Sequence, residues 1–265
     1  MRPITVVMIS YKRSLFLAES VKAIYRDPGI DFDFILHDNS ENNLGAGVLH
    51  DILPRVNSKY FVQVEDDMIW LSPKWLLNLV KGIEQKPDIT QEGKDLGFKD
   101  EWGFIATNGL IDDVNNSGMW PDRFESMIEY KINDIWYWAN MRPFGGASIS
   151  HTKVLKELDV FPKKTKHLNK NHYHQVITIE NSKYQMAYIR DTYVYHAASP
   201  YWNKLYPEVW EEKHRTTPQT IEEGLKIFND KGDFNFSNKE PMDFFIGGKF
   251  NEYATRLYNR SNGLI

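Results

Sequence analysis

Three short apolar runs, each ending abruptly in a polar cluster and each followed by a stretch of helical spacing, constrain this chain most. Residues 4–9 (ITVVMI) are almost continuously apolar and β-branched, the pattern of a strand covered on both faces. Ser10-Tyr11-Lys12-Arg13-Ser14 interrupts it. Residues 15–25 then carry apolar side chains at helical spacing, with Ser14 placed to cap and Asp27-Pro28-Gly29 to close. Residues 32–36 read as a second strand ending at His37-Asp38-Asn39-Ser40, and residues 44–53 as a helix. Residues 60–64 read as a third strand ending at Glu65-Asp66-Asp67, and Ser72-Pro73 predicts the next helix start, with Ser at the cap and Pro in the first turn. Strands alternating with helices predict an α/β fold, a mostly parallel mixed sheet flanked by helices. In such sheets ligands bind beyond the carboxyl ends of the strands. The three polar clusters are therefore expected on one edge.

The rest of the chain is less regular. Residues 86–101 read as a loop, 103–107 as a strand and 112–122 as a surface excursion. Residues 135–138 are aromatic and strand-like and lead to Phe144-Gly145-Gly146-Ala147-Ser148. Residues 154–158 read as a helix, and 185–195 as a strand ending at His196. Beyond Pro200 the pattern breaks. The expected organisation is one α/β domain over residues 1–200, with a helical or irregular C-terminal extension, residues 201–265, packed on it.

Charge narrows the partners. Lys and Arg number 32 against 36 Asp and Glu, a formal charge of -4, which excludes a surface wholly given to nucleic acid but not a local basic patch. Residues 163–174 are such a patch, containing Lys163, Lys164, Lys166, His167, Lys170, His172 and His174 and no acid. The absence of cysteine removes disulfides, thiolate catalysis and Cys-ligated zinc together. The N-terminal apolar run is too short to span a bilayer and no small-residue cleavage site follows it. The expectation is a cytoplasmic protein with no transmembrane segment.

Glu65-Asp66-Asp67 is the strongest chemical signal. Three adjacent carboxylates repel one another, and a divalent cation with hard-oxygen preference offsets that repulsion. The alternative is a solvated acidic turn. Asp38-Asn39-Ser40 is either an Asx turn or an acceptor for a base or ribose. Gly145-Gly146 either lets backbone approach a ligand or forms a tight bend. His196 is either a packed imidazole or a ligand. His172 and His174, two apart, would share a face on an extended strand, but no neighbouring Cys or carboxylate supports zinc there.

In order, residues 6–13, 36–40, 64–67, 145–148 and 195–196 resemble the GT-A-fold, family-2-like glycosyltransferases over roughly residues 3–200. The resemblance implies a Rossmann-like nucleotide-diphospho-sugar transferase fold. It places Tyr11 and Arg13 near the nucleotide, with Asp38 and Ser40 in the turn that reads base or ribose. Asp66 would contact the ribose or the metal's water shell, and Gly145-Gly146 would lie toward the acceptor. Glu65, Asp67 and His196 would ligate Mn²⁺ or Mg²⁺. Glu65 stands where many relatives carry Asp.

One departure bears on mechanism: residues 162–179 contain no carboxylate where inverting relatives carry their general base. His172 is one candidate base and Asp191 another, or the enzyme retains configuration and needs none. The implied activity is metal-dependent transfer from a nucleotide sugar, with a UDP-sugar as default donor. The acceptor is a glycan, a protein or a modified DNA base. A nucleotidyltransferase of similar fold is the alternative, disfavoured because residues 10–14 contain no Gly for a triphosphate loop. A non-catalytic nucleotide-sugar-binding protein is another.

Overall fold

The computed structural model describes residues 2–12, 14–41, 47–70, 72–112, 117–118, 128–139, 146–161 and 168–196. The chain divides into two units, residues 1–108 with 122–194, and residues 109–121 with 195–265. In the first, β1 (Ile4–Ser10), α1 (Ser14–Arg26), β2 (Asp33–Asp38), α2 (Val48–Ile52), β3 (Tyr60–Glu65), β4 (Met68–Trp70) and α3 (Trp75–Ile83) follow one another. A single 3-10 turn at Leu53–Arg55, with Pro54 inside it, ends α2. Next come α4 (Gln91–Asp95), β5 (Glu101–Asp112), β6 (Ser117–Gly118), β7 (Ile128–Ile132), β8 (Ile135–Ala139), β9 (Ala147–His151), α5 (Thr152–Leu158), α6 (Leu168–Glu180) and β10 (Tyr184–His196). The last residues of β5, with β6, fall in the second unit, where Ile111 pairs with Gly118 and Asp112 with Ser117.

The sheet order is β2-β1-β3-β9-β5-β10-β8-β7, with β4 beside β10. β1 lies between β2 and β3 and runs parallel to both. β9 is antiparallel to β3, β5 to β9, β8 to β10 and β7 to β8. The result is a mixed α/β sheet whose parallel part is the N-terminal three strands, as the alternating pattern of the first 65 residues predicts. Among the described residues no helix is long and apolar enough to cross a membrane.

Helix α3 buries Trp75, Leu76, Leu79, Val80 and Ile83. Trp75 stacks on Trp70 at 3.9 Å between ring centroids and donates its indole N–H to the Ile24 carbonyl at 3.2 Å. That contact joins α3, β4 and the end of α1. Burial pushes the Tyr137 phenol up, and its hydroxyl donates to the Gly82 carbonyl on α3 at 2.9 Å.

Four local expectations differ from the structure. Ser72 does not cap α3: its hydroxyl accepts the Tyr193 N–H at 2.8 Å, tying the chain to β10, and the cap position belongs to Lys74 at φ 52°. A strand partner thus takes the hydroxyl that local capping would have used. Within residues 86–101, Thr90 caps the short helix α4 by accepting the Gly93 N–H. His172 and His174 lie on helix α6, not on a strand. Two positions on a helix are about 200° apart around its axis, so they do not share a face. Strands β4, β7 and β9 and helix α6 go unread from sequence.

His151, at the end of β9, is held below the ordinary imidazole value by burial first and then by Lys153 and Lys59, with Glu101 and a hydrogen bond to the Ile83 backbone opposing. Its ring lies 5.3 Å from Tyr60. A group that binds its proton less readily folded than unfolded removes stability as pH falls from the unfolded value of 6.5 toward the lower folded one. His151→Gln is therefore expected to flatten the acid side of the stability profile below pH 6.5, read as urea midpoints from pH 5 to 8. An unchanged slope would show that His151 does not contribute to it.

Candidate functional site

The carboxyl ends of the three parallel strands meet in register. Ser10 pairs with Asp38 on one side, and Ile9 pairs with Glu65 on the other. Hydrogen bonds knit the three ends. The Asn39 N–H donates to the Ser10 carbonyl at 2.8 Å. The Lys12 N–H donates to Ser40 Oγ at 3.3 Å. Asp66 Oδ2 accepts from Ser10 Oγ at 3.1 Å and from the Tyr11 N–H at 3.2 Å. Ser20, on α1, donates its hydroxyl to the Asp66 carbonyl at 2.8 Å.

The acids differ in setting. Glu65 is half-buried at the end of β3. Asp66 and Asp67 form the turn into β4 and are 1% and 0% exposed. Asp38 is exposed, and its Oδ1 accepts both the hydroxyl and the N–H of Ser40. Those two bonds, the side-chain one first, hold its carboxyl below the ordinary carboxylate value. Asp38 is thereby kept ionised as a pure acceptor. Lys12 adopts a left-handed backbone at φ 54° and places its ammonium 5.1 Å from the Tyr11 ring centroid.

Gly146 joins this edge because β9 lies beside β3: its carbonyl accepts the Glu65 N–H at 2.8 Å. Tyr11, Asp38, Ser40, Glu65, Asp66, Asp67 and Gly146 thus stand together. Arg13 and Gly145 lie outside the described residues. His196 ends β10 in the second unit and His172 sits on α6, and the side chains of both lie outside the described residues. Asp191 is exposed on β10, with both oxygens engaged by Arg190 at 2.8 and 3.0 Å. Ser10 and Ser20 are the site residues that sequence reasoning passed over. Ser20 sits 46 positions from Asp66 and reads as an unremarkable helix residue. The one signal available was a Ser on what becomes the buried face of α1.

Among the described residues no group of three or more His, Asp or Glu side chains could hold a metal ion. Mg²⁺-type ions, however, commonly take one or two carboxylates and complete their shell with substrate phosphates and water. Glu65 and Asp67 are hard oxygen donors at a strand end, so the donor set fits that mode and does not form a closed protein cage.

No family model and no curated protein matches the sequence. Solved structures do. The mannosyltransferase PcManGT from Pyrobaculum calidifontis, in complex with GDP-Man and Mn²⁺, is 11% identical, with a TM-score of 0.51 over 97% of this chain and 70% of its own. S. aureus TarS 1-349 in complex with UDP is 13% identical over 92% and 74%, with a TM-score of 0.48. The catalytic domain of Drosophila beta1,4galactosyltransferase 7, in complex with xylobiose, is 10% identical over 72% and 66%, with a TM-score of 0.43. At such identities the likeness is one of fold. This chain has the GT-A glycosyltransferase fold.

Proposed function

We propose that the chain is a metal-dependent glycosyltransferase acting on a nucleotide-sugar donor, a UDP-sugar being the first to test. The acceptor is a glycan in the first instance, with a protein or a modified DNA base as further candidates. The observation that carries this reading is the convergence of the Tyr11–Lys12 loop, the Asp38–Ser40 turn and the Glu65–Asp67 turn on one sheet edge. The GDP-Man and Mn²⁺ bound in the Pyrobaculum mannosyltransferase support it.

In this reading Tyr11 and Arg13 lie against the nucleotide. Asp38, oriented by Ser40, accepts hydrogen bonds from ribose hydroxyls or a base N–H. Gly145 and Gly146 let backbone pass close to the sugar. Glu65 and Asp67 hold Mn²⁺ or Mg²⁺, with His196 completing the set. Such an ion, when bound, supplies positive charge for the departing diphosphate. His172 and Asp191 are the candidates for the acceptor's base.

A second reading, a non-catalytic nucleotide-sugar-binding protein, is favoured by one observation: α6 carries no carboxylate before Glu180. A thermal-shift panel of nucleoside diphosphates and triphosphates, with and without Mn²⁺, separates the possibilities. The expected result is that one diphosphate raises the melting temperature only with the metal, by an amount equivalent to about 2.7 kcal/mol at a hundred times its Kd. The corresponding nucleotide sugar is then turned over. Stabilisation without turnover of any donor selects the binding protein. Stabilisation by triphosphates alone selects a nucleotidyltransferase, and no metal-dependent stabilisation overturns the proposal.

A further inference from the structure

Three hydrogen bonds from two separate elements end on Asp66. Ser10 Oγ and the Tyr11 N–H, at the end of β1, both reach Oδ2, while Ser20 Oγ, from α1, reaches the main-chain carbonyl. Ser10, Ser20 and Asp66 are all buried, Ser20 completely. The carboxylate oxygen that carries two of these bonds is directed at the β1 end and satisfied there. Immediately after Tyr11, Lys12 holds a left-handed backbone that a non-glycine residue keeps only when its surroundings enforce it. Two contacts hold it there: the Tyr11 amide on Asp66 and the Lys12 amide on Ser40.

We propose that Asp66 is a latch, and that Ser10 and Ser20 are positioning residues that fix the distance between the Tyr11–Lys12 loop and the carboxylate of Asp67. The functional half of this proposal rests on the nucleotide-sugar reading above. A donor that spans the loop and the acid turn binds best when the two are already held at the right separation. With the latch open, binding must itself order the loop, and that cost appears in affinity before it appears in the chemical step.

The test compares Ser10→Ala, Ser20→Ala, Asp66→Ala and Asp66→Asn with Asp67→Asn, each checked for folding by its melting temperature. Donor KM is expected to rise about tenfold in Ser10→Ala and Ser20→Ala, with kcat within about twofold. Asp66→Ala should raise it further. In Asp66→Asn the amide oxygen still accepts from Ser10 and Tyr11, so KM should fall well below that of Asp66→Ala, and the Tyr11 amide should exchange as slowly as in the wild type. A kcat collapse in Asp66→Asn matching that of Asp67→Asn would make Asp66 a ligand and overturn the latch. Wild-type KM in both serine variants would overturn it as well.

Hydrogen exchange at the Tyr11 amide reads the latch without any ligand. Exchange about tenfold faster in Ser10→Ala and Asp66→Ala supports it, and unchanged exchange overturns it. If the wild-type protein bound no nucleotide, the glycosyltransferase reading would fail while this second measurement still decided the latch.

Discussion

Asp67→Asn is expected to leave a folded protein that has lost metal-dependent nucleotide binding, and to lower kcat/KM for the donor by about a thousandfold or more, roughly 4 kcal/mol of transition-state stabilisation. The substitution keeps shape and removes charge. Asp67 is wholly buried in the turn that follows β3, where low polarity magnifies the effect of a full charge on a bound cation. Glu65 is half-buried at the strand end, so Glu65→Gln should cost less. Initial rates measured against Mn²⁺ concentration make the comparison. A fully active Asp67→Asn with unchanged Mn²⁺ dependence would remove the carboxylate turn from the mechanism.

The largest expected effect on stability belongs to Trp75→Ala, at about 3–5 kcal/mol. Trp75 is 1% exposed, stacks on Trp70 and donates to the Ile24 carbonyl. Its removal opens a cavity between α3 and β4 and leaves a buried carbonyl unsatisfied. Trp75→Phe keeps a ring in the stack and loses the N–H, so it should recover part of the loss. Urea unfolding of both variants provides the measurement. A Trp75→Ala loss below about 1 kcal/mol would mean that the site collapses around the deletion. Trp70 ends the short strand that begins directly after Asp67, so this stack anchors the segment that leads out of the acid turn.

Much of the parallel half is legible in the sequence. β1 and β3 announce themselves as apolar runs because both of their faces are covered, and the serine and carboxylates at their ends stand out against those runs. β9 gave no such signal. Its Ser148 and Ser150 alternate with apolar residues, which reads as a half-exposed segment or a loop, yet both are buried between β3 and β5. β7 alternates apolar residues with Glu129 and Lys131 over only five positions, too short a run to stand out from a loop. Ser72 looked like a helix cap because capping is local chemistry, and a strand 121 residues away took the hydroxyl instead.

The type and order of the N-terminal elements, and the acids at their ends, follow from local sequence, since hydrophobic period and residue chemistry act over a few neighbouring positions. Only the assembled sheet and its helices bring Ser20 to Asp66 and lay Gly146 against Glu65. Those outcomes depend on which strands become neighbours and on the turn of a helix. Both are settled by burying surface across the whole chain, which no short stretch of sequence encodes.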